Sequence, residues 1–275
     1  MITLAPLGAW SPVNRASGDA DGSTTDVGSA TAARLTNCSK QRCASLSFRL
    51  LRGCLNWCES EPALAGLVPS GALKSAKVRD AVPSKTVKDD CLQREQLPLW
   101  FEHVRKLTNP VHAAYLQALL LTGARREELA AIQWPDVDFQ WKGLKIRDKV
   151  EGERTIPLTP YVAFLRNALP RRNEWVFSSP QAASSRLMEP RIGHNRALTA
   201  AGLPSLSLHG LRRSFGTLSE WCEVPTGVVA QIMGHKPRAI AEKHYRRRPL
   251  DLLRSWHVKI EAWILDQAGI TFEPQ

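Results

Sequence analysis

The chain has 275 residues, an apolar fraction of 43% and a formal net charge of +11, which is material for one large or two modest soluble domains and points to a polyanionic partner. Its 6 cysteines lack paired CxxC spacing, which argues against a zinc ribbon, and no disulfide framework is evident. The best apolar run, 113–121, is broken by Gln117 and too short to span a bilayer; without a basic-then-apolar leader either, the expected setting is the reducing cytoplasm.

Residues 1–30 are rich in Gly, Ser, Thr, Ala and Asp without periodicity and read as disordered or low-complexity. Charges balance up to residue 41, so the basic excess lies beyond it. Over 31–60, Leu35, Cys43, Leu46, Leu50, Cys54, Trp57 and Cys58 recur at helical spacing with Arg49 and Arg52 interleaved. This predicts one or two helices with a basic flank and the cysteines buried as free thiols. Residues 61–95 combine Pro62, Pro69 and Pro83 with Lys74, Lys77, Arg79, Lys85 and Lys88. They read as an extended basic linker, either laid along a phosphate backbone or simply solvated.

A second domain, 96–270, opens with Leu99, Trp100, Val104 and Leu107 in helical register. Asn109-Pro110 breaks that helix, and 111–121 forms a strongly apolar second one. Gly123 permits a tight turn into a third helix with Glu127 and Glu128 near its start. Arg125 then stands at a helix N-terminus, where a guanidinium and backbone donors converge on one anion, with Glu128 placed to hold it. The alternating stretches 144–149 and 154–158 around Glu151-Gly152-Glu153 predict a β-hairpin with Lys149 at its tip. Helical patterning returns over 160–169, and after the short apolar Trp175-Val176-Phe177 the rest is mainly helical. The expected fold is mainly α with a small antiparallel β-hairpin or sheet, an α+β class.

The densest chemistry lies in 206–245. His209 and Arg212, three apart on a helix, share a face and suit a phosphate: the Arg fork matches its oxygens, and the His donates to another or moves a proton. His235 follows Gly234, and Tyr245 offers an attacking oxygen. Each also has an ordinary reading as a structural or surface residue. Beyond Tyr245, Leu253, Trp256, Ile260 and Trp263 at spacings of three and four predict a helix that packs on its own domain or on a neighbouring protomer.

Taken in order, TGARREEL around Arg125, the hairpin lysine in DKVEGERTIPL, HGLRRSF around His209 and Arg212, MGH at His235 and EKHY at Tyr245 resemble the motifs of the tyrosine recombinases, the phage-integrase family. The likeness covers about 97–268. It implies a site-specific recombinase that cuts and rejoins DNA through a 3′-phosphotyrosyl link, in integration of a prophage or other mobile element, with no metal, ATP or cofactor. It implies Arg125, Lys149, His209, Arg212, His235 and Tyr245 as catalytic residues and Glu128 as support. Arg49, Arg52, Lys74, Lys77, Arg79, Lys85, Arg126 and Arg213 are the expected DNA contacts. The implied partner is double-stranded DNA, bound as a homotetramer at synapsis by a chain that is monomeric when free.

Two features depart from the family. Gly210 stands where an acidic residue is usual, and 31–60 match only the final part of a core-binding domain that usually has about four helices. The competing readings are a truncated remnant that only binds DNA, a type IB topoisomerase-like relaxing enzyme, and a metal site on His209, His235 and His244.

Overall fold

The computed structural model describes residues 27–64, 66–68, 71, 75–82, 88–148, 152–235 and 248–273; Lys74, Lys85, Lys149, His244, Tyr245 and the Arg79 side chain lie outside that description. Two compact units divide at Val87 and Lys88. In the first, α1 (Val27–Ser60) is one helix of 34 residues, beginning inside the stretch expected to be disordered. Its periodicity does not mark a buried stripe. Cys43 and Cys54 are exposed and Cys58 is half-buried, correcting the expectation of buried thiols; Leu46, Leu50, Leu51 and Trp57 are exposed beside them. Helical spacing aligns side chains, but burial needs a second surface to cover them. A short helix, α2 (Ala76–Ala81), interrupts the expected linker, its N-terminus capped by the Ser75 hydroxyl accepting from the Val78 amide at 3.3 Å.

The second unit is organised around α4 (Pro110–Thr122). The helix starts where Asn109 accepts from the Val111 amide at 3.0 Å with Pro at the first turn, and stops where Gly123 turns left-handed at φ 58°. It is apolar on every side, and Leu116, Ala118, Leu119, Leu120 and Leu121 are fully buried. Packed on it are α3 (Leu97–Arg105), α5 (Arg126–Ala130), α6 (Pro160–Asn167), α8 (Leu208–Ser219) and the C-terminal helix (Leu250–Gln267). Around these lie α7 (Arg191–Ala200), held to α3 through Trp100 Nε1 and His194 Nε2 at 3.1 Å, and α9 (Thr226–Met233).

The expected hairpin is present as β2 (Gly143–Asp148) and β3 (Gly152–Pro157), and a two-residue strand, β1 (Val137–Asp138), extends it to a three-stranded antiparallel sheet. Leu144 pairs with Ile156 and Ile146 with Arg154. Directly opposed residues share a face, so Arg154 sits on the same side as the buried Ile146, Leu144 and Ile156. The mainly helical fold with a small antiparallel sheet is thus as the sequence implied.

The C-terminal helix packs on its own domain. Leu253, His257, Ile260, Glu261 and Ile264 are buried, and His257 Nε2 lies 2.8 Å from the Leu121 carbonyl. Glu261 accepts from the Tyr161 and Val162 amides at 2.8 and 3.2 Å and from the Thr159 hydroxyl, capping the start of α6. Among the described residues no helix is long and apolar enough to cross a membrane.

Candidate functional site

Two left-handed glycines shape the site. Gly123 ends α4, and an added Cβ would stand 2.4 Å from Phe215 of α8. Only glycine allows this approach, which brings the Gly123 carbonyl within 2.7 Å of Arg212 Nη1. Arg212, 3% exposed, reaches it from the buried side of α8. Gly234 ends α9 at φ 70°, and its carbonyl accepts from Arg125 Nη2 at 3.3 Å.

Arg125 occupies the N-cap of α5. Its amide donates to Glu128 Oε2 at 3.0 Å and its Nη1 to Oε1 at 2.5 Å, so one carboxylate holds both the backbone and the guanidinium. Arg154 Nη2 donates to the same carboxylate at 2.6 Å. Burial alone would raise the Glu128 pKa, but the hydrogen bonds from Arg154 and Arg125 outweigh it and hold the group at about 2.

His209 lies in the first turn of α8, which Ser207 caps by accepting from the Gly210 amide at 3.0 Å. His235 directly follows Gly234, and both imidazoles are exposed at the surface. Their pKa values fall below the ordinary histidine value. Partial loss of water around the ring lowers His209 most, followed by Arg213 and Arg212; the same cause lowers His235 most, followed by Arg212, Arg125 and Arg154. The shift favours the neutral form of both rings, the form that can accept a proton.

Arg125, His209, Arg212 and His235 thus come together from three separate turns of the chain. An open pocket beside them is lined by Lys88, Arg126, Arg191, His209 and Arg212. Guanidiniums and imidazoles converging at a surface opening suit a tetrahedral anion whose negative charge grows during reaction. Of the other expected groups, Lys149 and Tyr245 lie outside the described residues. Arg49, Arg52 and Lys77 are exposed in the first unit. Arg126 pairs with Glu127 at 2.5 Å while lining the pocket. Among the described residues no group of three or more His, Cys, Asp or Glu side chains could hold a metal ion.

Sequence reasoning missed two residues. Asp90 crosses the first turn of α8, where its carboxylate accepts from the Ser207 amide at 2.9 Å and from Arg213. Burial opposes its ionisation, but Ser207 and Arg213 hold its pKa at about 2. Gly210 is what lets it pass: a Cβ there would stand 2.5 Å from Leu206 and 2.7 Å from the Asp90 carbonyl. An acid reaches this turn from the irregular segment entering the domain rather than from position 210. The second is Arg154, on the core face of β3. Its signal was the alternation in Arg154-Thr155-Ile156, which puts a cation on the side of a buried isoleucine.

Residues 91–249 match the phage integrase family and residues 30–80 the phage integrase core-binding domain. Prophage integrase IntF of Escherichia coli K12 is 58% identical over 235 residues, covering 82% of this chain and 50% of that protein, so the chain spans about half its length. A lambda integrase (75–356) dimer bound to a COC′ core site matches with a TM-score of 0.56 at 16% identity, over 76% of this chain and 77% of that one. A lambda integrase tetramer bound to a Holliday junction matches with a TM-score of 0.55 at 16% identity, over 80% and 66%. At that identity the two structures speak for the fold.

Proposed function

This chain belongs to the phage integrase family, and we propose that it is a prophage-type site-specific recombinase that cuts and rejoins double-stranded DNA through a 3′-phosphotyrosyl intermediate. The observation that carries this reading is the convergence of Arg125 and Arg212, each tied to a glycine carbonyl, with His209 and His235. The Tyr245 oxygen attacks the scissile phosphorus, and the bond from phosphorus to the 5′-oxygen breaks. His209 receives or orients the phenol proton, and Lys149 donates a proton to the departing 5′-oxygen. Arg125 and Arg212 balance the charge gathering on the non-bridging oxygens, while His235 donates to the same phosphate. The 5′-hydroxyl of a partner strand then reverses the step. Because bond energy is retained in the phosphotyrosine, no ATP is consumed.

In this reading residues 31–60 supply a shortened core-binding segment, 61–95 a basic linker and 96–270 the catalytic domain. Arg49, Arg52, Lys74, Lys77, Arg79, Lys85 and Arg126 contact the DNA backbone. Arg213 is left out of that group, because its guanidinium is engaged by Asp90 and the Ser207 hydroxyl. The chain is monomeric alone and tetrameric at synapsis. Identity of 58% to a prophage integrase favours this reading over a DNA-binding remnant or a relaxing enzyme. A nicked suicide duplex, of a sequence selected from a random pool by the chain itself, tests the chemistry: a covalent protein–DNA adduct supports it, and relaxation of supercoiled DNA without strand exchange favours the topoisomerase.

A further inference from the structure

The hairpin carries a cation that the reaction above does not use. The Arg154 side chain is only 16% exposed, and its Nη2 donates to Glu128 Oε2 at 2.6 Å. Its Nε and Nη1 are buried and find no hydrogen-bond partner among the described residues. Buried donors left unmade disfavour folding, so such a group calls for a reason other than stability. The reason lies on its other side. An ideal Cβ on Gly234 would stand 2.6 Å from Arg154 Cζ and 2.7 Å from both Nε and Nη1, so the flat face of the guanidinium lies directly against this left-handed turn. The Gly234 carbonyl in turn accepts from Arg125 Nη2 at 3.3 Å, and His235 is the next residue.

We propose that Arg154 is a positioning residue for strand cleavage: through the Glu128 carboxylate it aims the Arg125 guanidinium, and by lying against Gly234 it sets the turn that presents His235. The inference rests on the recombinase reading for its rate consequences, but its geometric half does not depend on activity. The two guanidiniums take different oxygens of Glu128, Arg125 on Oε1 and Arg154 on Oε2, and Oε2 also accepts from the Arg125 amide, so Arg154 adds a side-chain anchor from β3 to a carboxylate otherwise held, among the described residues, only within α5. Without that second anchor Oε2 keeps only the Arg125 amide, and the carboxylate can turn about that bond, loosening its aim on the Arg125 guanidinium. A planar guanidinium can pair with Glu128 and pack against a peptide at once, which a lysine ammonium cannot. Other groups face His235: Arg125 at the start of α5, and Arg212 and His209 on α8, all of which disfavour its protonation together with Arg154. Removing Arg154 takes away one of these and frees the turn, while the others remain.

The test uses the full chain and the variants Arg154→Met and Arg154→Lys. First, the His235 imidazole is titrated by NMR in the DNA-free protein. Arg154→Met should raise its pKa toward the ordinary histidine value, and Arg154→Lys should leave it closer to wild type. Second, adduct formation is timed on the nicked duplex selected by the wild-type chain. Arg154→Met should slow it between about 10- and 100-fold, as expected for a catalytic group displaced by about 1 Å, with DNA affinity unchanged within threefold. Arg154→Lys should recover only part of the rate. An unchanged His235 titration in Arg154→Met overturns the proposal, as does an adduct rate within threefold of wild type. If Arg154→Met does not fold, Arg154→Lys decides: wild-type rate in that variant contradicts the need for a planar group. Absence of any adduct from the wild-type chain counts against the recombinase reading instead, and the titration still judges the placement of His235.

Discussion

The Arg212 guanidinium donates through Nη1 to the carbonyl of Gly123 at 2.7 Å, joining α8 to the turn between α4 and α5 across 89 residues of sequence. This bond holds a buried cation at the edge of the pocket, and it exists because Gly123 brings its backbone against Phe215.

Gly123→Ala should therefore be costly twice. A left-handed alanine costs about 1–2 kcal/mol, and overlap with Phe215 adds about 1–3 kcal/mol. Urea unfolding should show a lower midpoint than wild type, with adduct formation reduced as the bond from Arg212 to the Gly123 carbonyl is disturbed. A stability change within about 0.5 kcal/mol, the range of ordinary surface substitutions, would contradict the close approach.

Gly210→Ala inverts a common rule. In a helix interior alanine normally stabilises by about 0.5–1 kcal/mol over glycine. Here the Cβ meets Leu206 and the Asp90 carbonyl, so overpacking of about 1–3 kcal/mol should make the variant less stable. A raised melting temperature would show that the segment carrying Asp90 does not cross this turn.

Much of this was legible in the sequence. Alternation around Glu151-Gly152-Glu153 marked the hairpin, and Gly123 followed by Arg125 and Glu128 marked a helix start with a held guanidinium. What was not legible depended on contacts between distant segments. Cys43, Cys54 and Cys58 were aligned correctly, yet periodicity alone cannot say whether anything covers a stripe. Asp90 sits in a stretch without pattern, and only the fold reveals that it meets α8 117 residues later. Strand β1 is two residues long and leaves no periodic trace.

Glu128 couples stability to acidity. Its carboxyl lies at about 2 in the folded chain against an ordinary value of 4.5. A depressed folded pKa stabilises above the unfolded value and loses that stabilisation as pH falls through the folded one. The difference in urea midpoint between wild type and Glu128→Gln should be level above pH 5 and shrink between about pH 4.5 and 2. A difference independent of pH would mean that the two arginines do not hold the ionised form.

Glu261 anchors the C-terminal helix to α6 through Thr159, Tyr161 and Val162. Glu261→Ala leaves these donors buried without an acceptor and should cost about 1–3 kcal/mol. Glu261→Gln should cost less, since the amide oxygen still accepts and burial, which pushes the carboxyl pKa up, no longer acts against a charge. Equal losses in the two variants, measured by thermal unfolding, would argue against the cap.

The proposed chemistry stands on a tyrosine oxygen working beside Arg125, Arg212, His209 and His235. The direct measurement is covalent capture on a nicked suicide duplex by wild type and by Tyr245→Phe. Wild type should form a protease-sensitive protein–DNA adduct and Tyr245→Phe none, at DNA affinities equal within about threefold, well under the tenfold that 1.4 kcal/mol represents. An adduct that persists in Tyr245→Phe would contradict that chemistry.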